Sequence, residues 1–256
     1  MFNKLKGKKI IITGASSGIG EALAIECARR GMHLGLVARR EEHLHRLAER
    51  LRSSGVQIET AVLDVNDTDQ VTPVLSGLAD LLGGVDIVVA NAGILKSRKA
   101  GDGRVHRDQQ IFQTNVIGAI ATSEAAIQLF RLQGTGGQIA VTSSYSAFLP
   151  LPMAAAYSAS KAAVTSYFNA IRAPLLRENI RVTVLHPSFV KTDMLDGFET
   201  RGLPIVTRAD DMAAAMMDAI AREQHNPILP KQPWGMLYQA QKLMPTRLIL
   251  ELQKRM

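Results

Sequence analysis

Short runs of β-branched residues alternate with longer amphipathic stretches over most of this chain, and few architectures tolerate that rhythm. The apolar runs Lys9–Thr13, Leu34–Ala38, Ile58–Leu63, Val85–Ala90, Gln138–Ser143 and Arg181–His186 are bounded by turn residues and have the length of buried strands. Between them, Ile19–Arg30, Glu41–Ser53, Thr68–Leu82, Gln109–Leu132 and Ala155–Glu178 carry apolar residues at helical spacing, and Asp210–Arg222 follows later. Parallel neighbours need a crossover of a dozen or more residues, so strands that alternate with helices predict a parallel sheet. Right-handed crossovers then wind helices over both faces of that sheet. No repeat or low-complexity linker interrupts the pattern.

Bulk properties agree. A chain of 256 residues, 46% hydrophobic and 21% charged, is long enough to bury a core without disulfide support. Its one cysteine, Cys27, excludes an internal disulfide, fits a reducing compartment and lies in an apolar helical pattern. The basic start, Met1 to Lys9, lacks the apolar stretch and cleavage site of a secretory signal. No apolar segment approaches the roughly 20 residues needed to span a bilayer. These features predict a cytoplasmic protein. The formal charge of +7 favours a polyanionic partner, either nucleotide phosphate, acidic lipid or nucleic acid. Zinc-finger spacing and RNA-binding signatures are missing, which argues against nucleic acid. The histidines show no ligand spacing, and no metal is expected.

The first strand runs straight into Thr13-Gly14-Ala15-Ser16-Ser17-Gly18-Ile19-Gly20 and then a helix. A phosphate near a helix N-terminus meets free N–H groups and the positive end of the dipole. Glycines there let the backbone turn sharply and approach a pyrophosphate. Placement between strand and helix at the start of a βαβ unit is the context such a motif requires. The second strand ends Ala38-Arg39-Arg40, without the acid that would accept a ribose 2′-hydroxyl and with two bases suited to a 2′-phosphate. Downstream, Tyr157 and Lys161 stand at i and i+4 on one helix face. An ammonium close to a phenol favours phenolate and lowers its pKa from near 10, making it a usable acid/base. Tyr238 and Lys242 repeat the spacing, so context must separate the two pairs.

The glycine loop, with its G-x-x-x-G-x-G spacing, resembles that of the short-chain dehydrogenase/reductase family. Several further elements match in order. Asp64-Val65 resembles its adenine-contacting pair, and Asn91-Ala92-Gly93 its N-A-G element. Ser144 precedes Tyr157 by the family's thirteen residues, whereas His225 holds that place before Tyr238. Asn115 matches the asparagine of the preceding helix. Pro187-Ser188-Phe189-Val190-Lys191-Thr192 resembles P-G-x-V-x-T, with Ser188 in place of glycine. Ala147 also stands where the family often has glycine. The resemblance spans about Lys8 to Pro230.

It implies a single doubly wound Rossmann-type α/β domain with a mostly parallel seven-stranded sheet over residues 1–230, followed by a basic amphipathic tail over 231–256. It implies a catalytic set of Asn115, Ser144, Tyr157 and Lys161. Ser144 would donate to the substrate oxygen and Tyr157 would exchange the proton. Lys161 would lower the tyrosine pKa and hold the nicotinamide ribose, and Asn115 would anchor a water through a disturbance of its helix. The cofactor would lie along Gly14, Ser16, Ser17, Gly18, Ile19, Gly20, Arg39, Arg40, Asp64, Val65, Asn91, Ala92, Gly93, Tyr157, Lys161, Pro187, Val190 and Thr192, with NADP(H) favoured over NAD(H).

The expected activity is hydride transfer between that nicotinamide and a small-molecule carbonyl or secondary alcohol. The alternative is a non-catalytic NADP(H)-sensing protein of the same fold, against which the intact set of four argues. A nucleotide-sugar epimerase or dehydratase would need a larger substrate domain after the sixth strand. The resemblance implies a homodimer or homotetramer joined through Gln109–Leu132 and Ala155–Glu178. Ser188–Pro204 is a candidate substrate lid at a carboxyl strand end. The tail from Pro233 to Met256 mixes apolar residues with Lys242, Arg247, Lys254 and Arg255. Such a segment suits packing on its own domain, covering the active site, docking on a partner subunit or contact with an anionic membrane, and the last would go with a lipophilic substrate.

Overall fold

A computed structural model describes residues 4–195 and 206–253. Six strands coincide with the predicted runs: β1 Lys9–Thr13, β2 His33–Ala38, β3 Ile58–Val62, β4 Ile87–Ala90, β5 Gly137–Thr142 and β6 Ile180–Pro187. Two two-residue strands, β7 Val190–Lys191 and β8 Thr207–Arg208, pair with each other. A last short strand, β9 Ile228–Leu229, completes a seven-stranded sheet of order β3-β2-β1-β4-β5-β6-β9. Every pair in it is parallel. The order reverses between β1 and β4, so a crevice opens beyond their carboxyl ends.

Period-two alternation sorts the strand residues onto two cores. Ile10, Ile12, Leu34 and Leu36 face the side covered by α1 Gly18–Arg29, α2 Glu41–Leu51 and α7 Ala209–Ala221. Ile11, Val37, Val88 and Ile139 face α3 Thr68–Leu82, α5 Gly118–Gln133 and α6 Ala155–Leu176. The three consecutive isoleucines of β1 are fully buried, each contributing about 1.5–3 kcal/mol of transfer free energy. Like β2 and β4, β1 sits on both cores at once. Arg30 joins α1 to α7 through Glu26 at 2.7 Å and Asp218 at 2.9 Å. Cys27 is buried among these side chains, and desolvation pushes its thiol well above the usual range.

The stretch predicted as one helix, Gln109–Leu132, is three pieces. An α-helix, α4 Val105–Phe112, gives way to a π turn at Gln113–Ile117 before α5 begins. A π turn adds a residue to the hydrogen-bonded ring and shifts the apolar phase by that one residue, while the chain on both sides stays helical. After β6, the 3₁₀ turn Asp193–Leu195 follows β7, and the remainder of the candidate lid, 196–205, lies outside the described residues. In the C-terminal segment, a turn at Lys231–Gly235 leads into α8 Met236–Lys242 and α9 Thr246–Gln253.

Candidate active site

Gly14 takes φ +68°, and a Cβ there would lie 2.8 Å from Ala92 Cα. A Cβ on Gly20 would meet the Gly14 carbonyl oxygen at 2.0 Å. Only glycine at both places lets β1 turn into α1 against the end of β4. Asn91 secures that approach. Its Nδ2 donates to the Thr13 carbonyl at 3.2 Å, and its Oδ1 accepts from Thr142 Oγ1 at 3.1 Å. Ser17 occupies the N-cap of α1 without a side-chain cap, leaving first-turn donors to an anion.

Arg40 reaches back over this loop. Its Nη2 lies 3.0 Å from Ser16 Oγ and 2.6 Å from Ser17 Oγ. Arg39 extends the other way, 3.5 Å from Asp64 Oδ2, with both side chains well exposed. Such an exposed pair contributes little to stability.

The catalytic end forms where β5 meets α6. Ser144 follows β5 in extended backbone (φ −164°) and caps the 3₁₀ turn Tyr145–Ala147. The neighbouring Ser143 faces inward, donating to the Lys161 carbonyl at 2.9 Å and meeting Thr165 Oγ1 at 2.8 Å. Tyr157 and Lys161 share one face of α6, with Lys161 Nζ 5.6 Å from the phenol ring centroid. Among the protein's own groups, burial outweighs the acidification of the phenol expected from this ammonium. Lys161 Nζ is buried and donates to the Thr142 carbonyl at 2.7 Å. Burial pulls its pKa down to about 8. Burial likewise holds the Tyr157 phenol above its ordinary value, opposed by a hydrogen bond with Ser144. The protein alone thus favours the neutral phenol, a proton donor.

One cleft is lined by Gly14, Ser16, Ser17, Gly18, Ile19, Gly20, Arg39, Arg40, Asp64, Val65, Asn91, Ala92 and Gly93 at one end, and by Ser144, Tyr157, Lys161, Pro187, Val190 and Thr192 toward the other. Asn115 is the predicted residue that does not reach it. It is buried in the π turn, where Oδ1 accepts from Ile94 N–H at 2.8 Å. Its Nδ2 donates to the Ile94 carbonyl at 3.0 Å and Ser160 Oγ at 3.1 Å. Both amide hydrogens are engaged, so its side chain holds the Gly93–Ile94 backbone and has no donor left for a water. A Cβ on Gly93 would meet this amide and Lys161 Nζ at 3.3 and 3.5 Å.

The other half of the wall comes mostly from segments where the sequence places the substrate pocket without a readable chemical code, Leu95–Gln110, Tyr145–Met153 and the candidate lid Ser188–Pro204. Ile94, Leu95, Tyr145, Leu149, Leu151, Phe189 and Met194 give the cleft an apolar end. Trp234 backs this end, buried with its ring centroid 4.9 Å from Tyr145 and 5.5 Å from Phe189. Gln241 of α8 accepts from the Tyr145 hydroxyl at 3.1 Å and donates to the Phe148 carbonyl at 2.6 Å. No local pattern announces contacts across such separations. Behind Phe148, His186 is fully buried with its ring 4.7 Å away, and burial lowers its pKa to about 4. Among the described residues, no cluster could hold a metal ion and no helix is long and apolar enough to cross a membrane.

A strand–glycine loop–helix at one end of a cleft and a Ser–Tyr–Lys group at the other define a nucleotide-linked oxidoreductase scaffold. The chain belongs to the short-chain dehydrogenase family, whose sequence profile matches residues 8–201. An uncharacterised oxidoreductase of Mycobacterium tuberculosis is 35% identical over 250 residues, covering 97% of this chain and 98% of its own length. A short-chain dehydrogenase/reductase of Burkholderia phymatum, solved in complex with NAD, shares the fold at a TM-score of 0.85 and 23% identity, over 97% of this chain and 96% of that one. An alcohol dehydrogenase from the archaeon Thermococcus sibiricus, complexed with 5-hydroxy-NADP, superposes at 0.78 with 26% identity, covering 88% and 96%. The chain is an oxidoreductase of this family.

Proposed function

We propose that the protein reduces an apolar ketone or aldehyde with NADPH, and oxidises the corresponding alcohol in reverse, with Tyr157 as the acid/base. The observation that carries this reading is the placement of Tyr157, Ser144 and Lys161 in the same cleft as the glycine loop.

The residues present fit a dinucleotide. Gly14, Gly18 and Gly20 clear the approach to the uncapped start of α1, and Asp64 with Val65 line the nucleoside end. Arg40, Ser16 and Ser17 offer a cation and two hydroxyls where a 2′-phosphate would project, and Ala38 supplies no carboxylate to repel it. When bound, the nicotinamide supplies the hydride. Ser144 then donates to the substrate oxygen as charge grows there. Tyr157 transfers its proton to that oxygen. Lys161 places a positive charge behind the phenol and eases its ionisation as the proton leaves. The substrate's hydrocarbon body faces Leu149, Leu151, Phe189 and Met194.

Oxidation of NADPH and of NADH, measured side by side against a panel of carbonyl compounds of increasing hydrocarbon size, tests the reading. Turnover of apolar carbonyls that disappears in Tyr157→Phe is expected. Turnover surviving that substitution, or a preference for NADH, overturns the corresponding half.

The C-terminal segment favours a second property. Met236, Leu237, Leu243, Leu248 and Leu250 are exposed beside Lys242 and Arg247. These exposed apolar and basic side chains suit shallow contact with an anionic bilayer, from which an apolar substrate would be drawn. Cosedimentation with anionic vesicles, lost in Leu243→Glu/Leu248→Glu, is expected. Equal partitioning of both proteins rejects it.

A further inference from the structure

The oxygen of Ser144 receives two hydrogen bonds from one neighbour. Ser146 N–H lies 3.1 Å from Ser144 Oγ, and the Ser146 hydroxyl donates to the same atom at 3.0 Å. A serine oxygen has two lone pairs and one hydrogen. With both lone pairs engaged on the turn side, the hydrogen is left to the open side, where Tyr157 and the cleft stand. The surroundings reinforce this. Ser146 is 4% exposed, so bulk water does not compete for its hydroxyl, whereas Ser144 is half-buried at the cleft wall. The 3₁₀ turn Tyr145–Ala147 aims the Ser146 side chain back at the residue that caps it. Ser143 cannot substitute, because its hydroxyl is bound to Lys161 and Thr165.

We propose that Ser146 is a positioning residue that holds Ser144 in one rotamer and directs its hydroxyl hydrogen at the oxygen shared with Tyr157. Donors in series polarise one another, so Ser144 is also a stronger donor than an isolated serine. The downward pull that Ser144 exerts on the Tyr157 phenol agrees with a hydrogen donated toward it. The kinetic consequence rests on the acid/base reading above; the geometric one does not.

The experiment therefore has two arms. Crystals of Ser146→Ala are expected to show Ser144 in more than one rotamer, where the wild type shows one. In carbonyl reduction, Ser146→Ala is expected to lower kcat about 5- to 10-fold, the worth of one neutral hydrogen bond, with KM for the nucleotide unchanged. The alkaline limb of its pH profile moves up, because the phenol loses an oriented donor. Ser146→Thr, which keeps the hydroxyl, recovers most of the rate. In a Ser144→Ala background the second substitution costs nothing further, since the group it positions is gone. A single unchanged Ser144 rotamer in Ser146→Ala overturns the proposal whatever the turnover. So does an equal loss of rate in the Ser144→Ala background. Failure of the acid/base reading registers elsewhere, as turnover that persists in Tyr157→Phe.

Discussion

The two ends of the cleft are built on different principles. At the nucleotide end, backbone does the shaping. Gly14 and Gly20 press against Ala92 and each other's peptide groups, and polar side chains tie strand ends together within one sheet. At the other end, side chains do it, and they arrive from distant parts of the chain. Tyr145 and Leu149 follow β5, Phe189 follows β6, and Trp234 and Gln241 come from the C-terminal segment. The first arrangement tolerates little change. The second can be re-lined residue by residue without disturbing the sheet, which is how one scaffold serves many substrates.

If this contrast holds, substitutions at the junction of the two ends are the most damaging. Tyr157→Phe should reduce kcat about a thousandfold, within the range for removing a general acid, while nucleotide affinity by fluorescence titration stays near wild type. A large loss of affinity would instead make Tyr157 part of the nucleotide end.

The apolar end should reveal itself in its pH response. His186 sits behind it with a pKa near 4, against about 6.5 when unfolded. Below the unfolded value the unfolded state binds the proton first, so stability is complete above that pH and is lost as pH falls toward 4. The full loss is about 3 kcal/mol, read as the urea midpoint against pH. His186→Gln should flatten this dependence, and an unchanged slope would place the titration elsewhere.

Selectivity changes should divide cleanly. Arg40→Ala is expected to raise KM for NADPH about 10- to 100-fold and leave KM for NADH nearly unchanged, the effect of losing charge-assisted bonds to a phosphate. An equal rise for both would show that Arg40 merely shapes the loop. Leu149→Ala is expected to change relative kcat/KM between short- and long-chain carbonyls about 10-fold, with nucleotide affinity constant. Indifference to chain length would move the substrate away from this wall.

The same contrast explains what could be read from sequence. The glycine loop, the Tyr157/Lys161 pair and six strands depend on spacing within a turn or a run, and such signals survive in one dimension. The disturbance of the helix at Asn115 is implied by the family resemblance and not by apolar spacing, and it takes the form of a π turn. Tyr157 was expected to be acidified by Lys161. Motif spacing carries no information on burial, or on a Thr142 carbonyl that takes the ammonium's hydrogen. Ser146 lies in plain view two residues beyond Ser144, yet its direction is set by the backbone of a short turn. Trp234 and Gln241 were legible only as parts of an amphipathic tail, because the surfaces they meet are tens of residues away in the chain.

Asn91 joins the glycine loop to Thr142, whose carbonyl in turn holds the Lys161 ammonium. Three side chains therefore form a continuous run of hydrogen bonds from the glycine loop to the lysine beside Tyr157. If a ligand that displaces the loop also shifts these bonds, thermodynamic reciprocity requires that the lysine's protonation state be felt in return at the loop.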